Sequence, residues 1–488
     1  MEKLRGKVFL SLFLAHGCVW SVFAQYNMAE TISKAQDNPK IPEGKALSWD
    51  AGGDIRLRHE MWDNMPRVLS TGPVQSHNES YFRLRSRLWG KVENEDFTLY
   101  GRLVDEFREY VTAGPRTATW NPKNYMHTPG EVILDNLYVE LRDLLWERVD
   151  LRVGRQDLAY GSGRVIFEGT PMDGSRTYFF DAVKAVVKVT EQNTVDVLGF
   201  YNSPTTFGAG DPNPNGGEEM PLNSIESFSR GMSEWGSALY FKSKELKQLP
   251  FEAYTIYADR SNYELVNGTD MQGRWINTVG LRLMPKITDE WSAEFEGAAQ
   301  YGQKESGADV GGHMAYGGLT YSPTLEFLGT GKPYATLSTL YLSGDPDKDR
   351  GTYQMNDRED DRSWDPLWSR YTCYLSEMYS YQSYYGVNYW SNLIYPALEV
   401  GCKWENKHGF FTSFGPMYAA VQDDRGGGGG SLYGYFWRGR YDFPLWRKIF
   451  GKRGDLMGHV TLELLEPGDY SATDQLAYFA RWEVSFAY

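Results

Sequence analysis

The sequence predicts an all-β protein: a transmembrane antiparallel β-barrel of about 18 strands behind a cleaved signal peptide. Three observations carry this. Segments of about ten residues alternate apolar and polar side chains with period two. Long connections take turns with short ones. After residue 24 no apolar run approaches the roughly 18 residues that a spanning helix needs, so membrane residence has to be as strands. In a soluble sandwich the apolar face of each strand would meet a second sheet; in an outer-membrane barrel it meets lipid and the polar face lines a lumen.

The chain starts with Lys3, Arg5 and Lys7, an apolar run over 8–23 and the cleavage pattern Val22-Phe23-Ala24. Residues 1–24 therefore read as a signal peptide cut before Gln25, and the protein as exported. Removing Lys3, Arg5 and Lys7 against Glu2 takes away a net +2 and moves the charge from −14 to −16. That acidic balance argues against nucleic acid as a partner. Residues 25–48 are polar with scattered Pro and Gly and read as a flexible periplasmic lead, leaving 49–488 for the barrel. Cys18 leaves with the signal peptide, so Cys373 and Cys402 can form one disulfide at most and no cysteine framework holds the fold. Aromatic residues reach 15%, with 34 Tyr and 16 Trp, which is what two interfacial girdles require.

Alternation begins with Ile55 and Leu57 on one face and Asp54, Arg56, Arg58 and Glu60 on the other. Phe82, Leu84, Leu88 and Val92 then oppose Arg83, Arg85, Arg87 and Lys91. A tight Asn94-Glu95-Asp96 turn leads to Phe97, Leu99, Gly101 and Leu103 against Arg102, Glu106 and Arg108. A hairpin follows over 149–190, with Leu151 and Val153 opposing Asp150 and Arg152. Beyond its Gly-containing loop, Val183, Ala185, Val187 and Val189 oppose Lys184 and Lys188. The same test continues near 193–202, 234–243, 251–260, 274–284, 290–303, 312–321, 334–343, 393–405, 409–420, 432–442, 455–465 and 477–488. Connections such as 110–131, 203–233 and 344–392 are long, whereas 95–96, 190–192 and 406–408 are short. Long loops outside and short periplasmic turns are the asymmetry of a barrel in the bacterial outer membrane, surrounded by lipid and lipopolysaccharide. The last strand alternates Tyr478, Ala480, Trp482, Val484, Phe486 and Tyr488 with Arg481, Glu483 and Ser485. A terminal aromatic, Tyr488, closing an amphipathic strand resembles the recognition signal read by the barrel-assembly machinery.

Arg56, Arg58, Arg83, Arg85, Arg87, Arg102, Arg108, Arg152, Lys184, Lys188, Arg282, Arg438, Arg440 and Arg481 all fall on the inward parity. Acids share it: Asp54, Glu60, Glu106, Glu140, Asp196, Glu252, Glu294, Glu296, Glu463 and Glu483. For any one arginine, a cross-strand ion pair that holds the wall together is as strong an expectation as a place on a solute path. The arginines crowd the first five strands and return near the C-terminus, which closure makes neighbours. One basic wall opposite an acidic one is therefore expected, suited to an anionic solute that guanidinium groups bind bidentately.

Leu151-Arg152-Val153-Gly154-Arg155-Gln156, then Tyr160-Gly161, Gly163-Arg164 and Phe180-Asp181-Ala182-Val183, resembles the signature segment of the alginate export family of outer-membrane porins. Phe82–Leu88, Ile133–Val139 and Tyr341–Asp345 agree, and the resemblance covers about 48–488. It implies an 18-stranded barrel whose arginine-rich constriction passes a newly made polyuronate out of the periplasm. It also implies Arg152, Arg155, Arg164, Asp157 and Asp181 at the constriction, with Arg83, Arg85 and Arg102 on the same wall. A general or oligosaccharide-uptake porin is the alternative. A barrel-embedded hydrolase is remote, because His59, His77, His127, His313, His408 and His459 sit in no recognisable nucleophile or metal pattern. His59 and His459 fall on the lipid-facing parity.

No cofactor, catalytic residue or metal site is expected. Asp345, Asp347, Asp349, Asp360 and Asp361 lack the Gly and Glu of a calcium loop, so 344–392 reads as solvated, or as bridging lipopolysaccharide through divalent ions. The basic, aromatic turn 442–453 reads as a dock for a periplasmic biosynthesis or export protein, a gate at the inner mouth, or an interfacial anchor. Gly426–Gly430 reads as a flexible outer tip.

Overall fold

A computed structural model describes residues 47–67, 75–113, 132–168, 179–202, 229–230, 233–265, 270–345, 360–369, 375–384, 390–422, 426–451 and 454–488. The expected signal peptide and most of the lead, Asp347, Asp349, Cys373, His127 and most of 203–233 lie outside them. Eighteen antiparallel strands form the barrel. They are β1 (Ser48–Arg67), β2 (Gln75–Glu93), β3 (Phe97–Ala113), β4 (Val132–Asp143), β5 (Val149–Gln156) and β6 (Phe180–Lys188); β7 (Asn193–Asn202), β8 (Glu234–Ser243), β9 (Phe251–Arg260), β10 (Arg274–Leu283), β11 (Trp291–Lys304) and β12 (His313–Tyr321); and β13 (Lys332–Leu342), β14 (Leu393–Lys403), β15 (Gly409–Tyr418), β16 (Leu432–Trp446), β17 (Asp455–Pro467) and β18 (Ala477–Ala487).

Each strand pairs with the next in sequence, and β1 pairs with both β2 and β18, from Asp54↔Ala487 to Asp63↔Tyr478. Across β7 and β8, the Lys244 N–H donates to the Gln192 carbonyl at 2.9 Å. Closure removes both sheet edges, so backbone groups in the hydrocarbon layer are paired within the wall. Both ends of the barrel sequence, Ser48 and Tyr488, lie at the end of the short turns, the periplasmic end in an outer-membrane barrel.

Burial runs opposite to a soluble protein. Leu57, Leu88, Leu99, Val279, Leu337, Leu398, Phe414 and Val460 are exposed, while Arg56, Arg58, Glu60 and Arg282 are almost wholly buried. The period-two pattern is thus apolar to lipid and charged to the lumen. Exposed Trp49, Trp146, Phe327, Trp446 and Phe450 ring the short-turn end, and Tyr201, Tyr301 and Tyr435 the other, as two girdles.

Several expectations need correction. β1 and β2 extend to Arg67 and back from Gln75, well past the roughly ten residues expected of each strand. β16 runs on to Trp446 because its ladder with β17 continues to Trp446↔Leu456. The glycines of 426–430 are packed rather than a loose tip: the N–H groups of Gly428 and Gly430 donate to the carbonyls of Tyr470 and Asp469 at 2.9 and 3.0 Å. Cβ atoms at Gly428 and Gly430 would strike Asp469 at 2.1 and 1.9 Å. His459 faces the lumen, because it shares the parity of Glu463 while Val460 and Leu462 are exposed. His59 does point outward, stacked on Phe82 with centroids 4.5 Å apart. Cys402 is a buried free thiol.

The loop before β14 turns inward over most of its described length, only Asp360 and Arg362 being exposed among its described residues. Trp364, Leu367 and Trp368 lie buried inside the barrel, packed with Phe180, Phe200 and Tyr240 of the wall. Asp361 and Asp365 are buried as well, against Arg260 and Arg274. A folded-in segment is how the wide lumen of 18 strands acquires an apolar core.

Candidate functional site: a charged, loop-narrowed lumen

Strand register sets the charged residues. Across β1 and β2, Arg56 stands opposite Arg85 and Arg58 opposite Arg83, four guanidinium groups on one patch of the lumen. Carboxylates are interleaved. Arg56 donates to Glu106 at 3.1 Å, and Arg83 to Glu60 at 2.9 Å and Glu106 at 3.1 Å. Arg58 donates to Glu483 at 2.5 Å and Arg481 to Glu60 at 2.7 Å. Arg85 lies 3.7 Å from Asp54, which Arg87 holds at 2.7 Å. On the opposite side Arg282 bonds Glu252 and Glu294, each at 3.0 Å. The expected division into one basic and one acidic wall is therefore not observed, since each wall pairs charges of its own. The cause is desolvation: a buried charge costs several kcal/mol unless a partner stands close.

Arg102 on β3 makes bonds of 3.0 Å to both oxygens of Asp135 and of 2.7 Å to Asp157, which also accepts from Asn136 at 3.1 Å. A bulge between Arg102 and Leu103 turns both Asp135 and Asn136 inward. Asp135 was missing from the inward acids for this reason, although the unbroken run Ile133-Leu134 before Asp135-Asn136 interrupts strict alternation. Arg152 pairs with Glu140 at 2.8 Å over the Tyr138 ring. Arg440 holds Asp442 at 2.7 Å and approaches His459 at 3.3 Å. For Arg108 only the backbone, opposite Arg83, is described.

Arg155 and Asp181 do not line the lumen. They form a two-bond pair of 2.8 and 3.0 Å at register positions shared with exposed Leu137, Val153 and Val183, hence on the outer face. Parity in β5 already places Arg155 with Val153 rather than with Arg152.

Two inward-folded pieces narrow the lumen. The first is the short hairpin Leu158–Tyr160 with Ile166–Glu168. Gly161 and Gly163 at φ 58° and 82° turn its tip, a region of φ open to glycine. The turn carries Arg164 across to Glu294 at 2.6 Å and Glu296 at 2.7 Å, over the Tyr316 ring at 3.5 Å. Burial opposes the charge of Arg164, and those two carboxylates more than offset it, holding the guanidinium above its ordinary range. The second piece is the loop before β14. Its backbone pairs with the hairpin, Trp368 accepting from the Phe167 N–H at 2.8 Å. It then forms a helix, Glu377–Tyr384, whose first turn is satisfied twice. Ser376 caps it, accepting from the Tyr379 N–H at 2.8 Å, and Glu463 of the wall accepts from Glu377 and Met378 at 3.1 and 2.8 Å. Glu377 pairs with Arg481 at 2.9 Å, and Arg438 donates to the Leu375 carbonyl while holding Glu399 at 3.2 Å.

Below these pieces lies a cavity of about 1150 Å³ that reaches Pro323–Glu326 at the short-turn end. Among its lining residues are Arg164, Lys184, Lys242, Arg282, Lys286, Lys332, Lys403 and Arg438, eight cations against the five acids Asp157, Asp196, Glu294, Glu326 and Glu399. Lys242, Lys286, Lys332 and Lys403 escaped the sequence reading. Lys332 and Lys286 fall in stretches read as turns. No group of three or more His, Cys, Asp or Glu side chains placed to hold a metal occurs among the described residues.

Comparison with known proteins follows the same lines. The outer-membrane protein OccAB1 of Acinetobacter baumannii superposes with a TM-score of 0.50 at 10% identity, covering 90% of this chain and 97% of its own. A BenF-like porin from Pseudomonas fluorescens Pf-5 gives 0.49 at 12% identity, covering 90% and 98%. A search of curated proteins finds no match. The family model described as alginate export matches residues 48–359. With that match over most of its length and a porin-like barrel of 18 strands, the chain belongs to the alginate export family of outer-membrane channels.

Proposed function

We propose that the channel passes an anionic, alginate-like polyuronate from the periplasm to the cell surface by passive, electrostatically selective diffusion. The path runs from the cavity at the short-turn end, past Arg164 and the Arg102 group, along the arginines of β1, β2 and β18. The observation that carries this reading is the like-charge register, Arg56 opposite Arg85 and Arg58 opposite Arg83. Holding the wall together needs only opposite charges across strands; arginine facing arginine costs stability there and suits a solute with carboxylates at regular spacing. Carboxylates within the ladder keep each contact weak, so that a bound polymer can move on. The exported form of the chain, its lead at 25–48 and assembly through the Tyr488 strand belong to the same proposal.

Reversal potential in planar bilayers under a salt gradient, followed by polyuronate added to one side, tests it. Anion selectivity with block by the polymer is expected. Cation selectivity, or indifference to the polymer, overturns the reading and leaves a general or oligosaccharide-uptake porin.

A further inference from the structure

Across β13 and β14 the register sets Lys332 directly opposite Lys403. Both have lumen parity and both line the cavity close to the short-turn end. Like charges directly opposite destabilise a sheet pair, so strand pairing does not account for them. Two residues further in, the Tyr334 ring lies flat across Gly401, where an added Cβ would meet ring atoms at 2.6 Å. The Tyr334 hydroxyl donates to Glu399 at 3.1 Å, and Arg438 holds the same carboxylate at 3.2 Å, which fixes the ring. The Lys403 ammonium sits 6.0 Å from the ring centroid. A fixed, flat aromatic face beside two ammonium groups offers what one sugar acid residue needs: a surface for the C–H face of its ring and cations for its carboxylate.

We propose that Lys332, Lys403 and Tyr334 form a loading site for uronate residues at the periplasmic mouth, where an acidic polysaccharide first engages the channel. This rests on the reading that the channel passes a polyuronate. The site captures a chain end by raising the local concentration of anionic sugar and aligning it on the ring before the arginine ladder takes over.

The test is current block of single, oriented channels by a short linear oligouronate added to one side at a time. In the Lys332→Gln/Lys403→Gln variant the block on-rate from the short-turn side falls about tenfold, the scale of lost electrostatic steering. Block from the long-loop side stays at the wild-type value, which also reports a folded channel. The Lys332→Arg/Lys403→Arg variant keeps the wild-type on-rate, and a neutral oligosaccharide of equal length blocks far less. An unchanged on-rate in the Gln variant, or equal block by the neutral sugar, overturns the loading site while leaving polyuronate transport standing. Absence of block of the wild type from either side overturns the transport reading itself. Should the double variant not insert, each single Lys→Gln substitution is read the same way.

Discussion

Arg102 is the residue whose loss separates structural from functional charge. It neutralises two carboxylates, Asp135 and Asp157, in a largely desolvated part of the lumen. Arg102→Ala leaves both without it and is expected to destabilise the barrel by about 3–5 kcal/mol, measured by urea unfolding after reconstitution. Adding Asp135→Asn recovers part of that loss; equal stability of single and double variants would contradict the pairing. Arg85 is different, since its carboxylate neighbour Asp54 is held more closely by Arg87. Arg85→Ala leaves Asp54 its closer partner and so should cost less stability than Arg102→Ala, while moving the reversal potential toward cation selectivity. Arg155→Ala, on the outer face, should not change ion preference at all.

At the scale of elements, the helix Glu377–Tyr384 is held in the lumen by the partners of its first turn rather than by propensity. Eight residues are too few to be stable alone. Glu463→Ala removes the acceptor of two first-turn N–H groups, so the helix loosens and single-channel conductance rises; unchanged conductance would show that the helix does not limit flow. The glycine tract at 426–430 holds two outer loops together. Gly428→Ala places a methyl against the Asp469 carbonyl and is expected to cost about 1–3 kcal/mol, read as a lower melting temperature. The alternation of β4 was legible except at its bulge, because period-two reasoning has no means of marking an extra residue that only the partner strand reveals.

For the whole molecule, the inverted distribution of polarity makes a sharp prediction. Leu337 and Ser338 are adjacent near the middle of β13, the first exposed and the second lining the cavity. Leu337→Arg should cost about 2–4 kcal/mol in folding into lipid vesicles, whereas Ser338→Arg should be tolerated and alter ion selectivity. Equal penalties would mean that the apolar face does not meet lipid.

The sequence by itself determined the barrel. Side-chain alternation, strand length and the switching of long and short connections are local properties, and each is dictated by a lipid exterior around a hydrated lumen. Strand positions agree for the same reason, apart from the longer reach of β1, β2 and β16. Tertiary structure alone decided which charges meet. Arg56 faces Arg85, and Lys332 faces Lys403, through register between strands; Arg164 reaches Glu294 from 130 residues away. It also decided that the segment with Trp364 and Trp368 turns inward. A polar-looking loop carries no periodicity, and its burial follows only from the space that 18 closed strands leave unfilled.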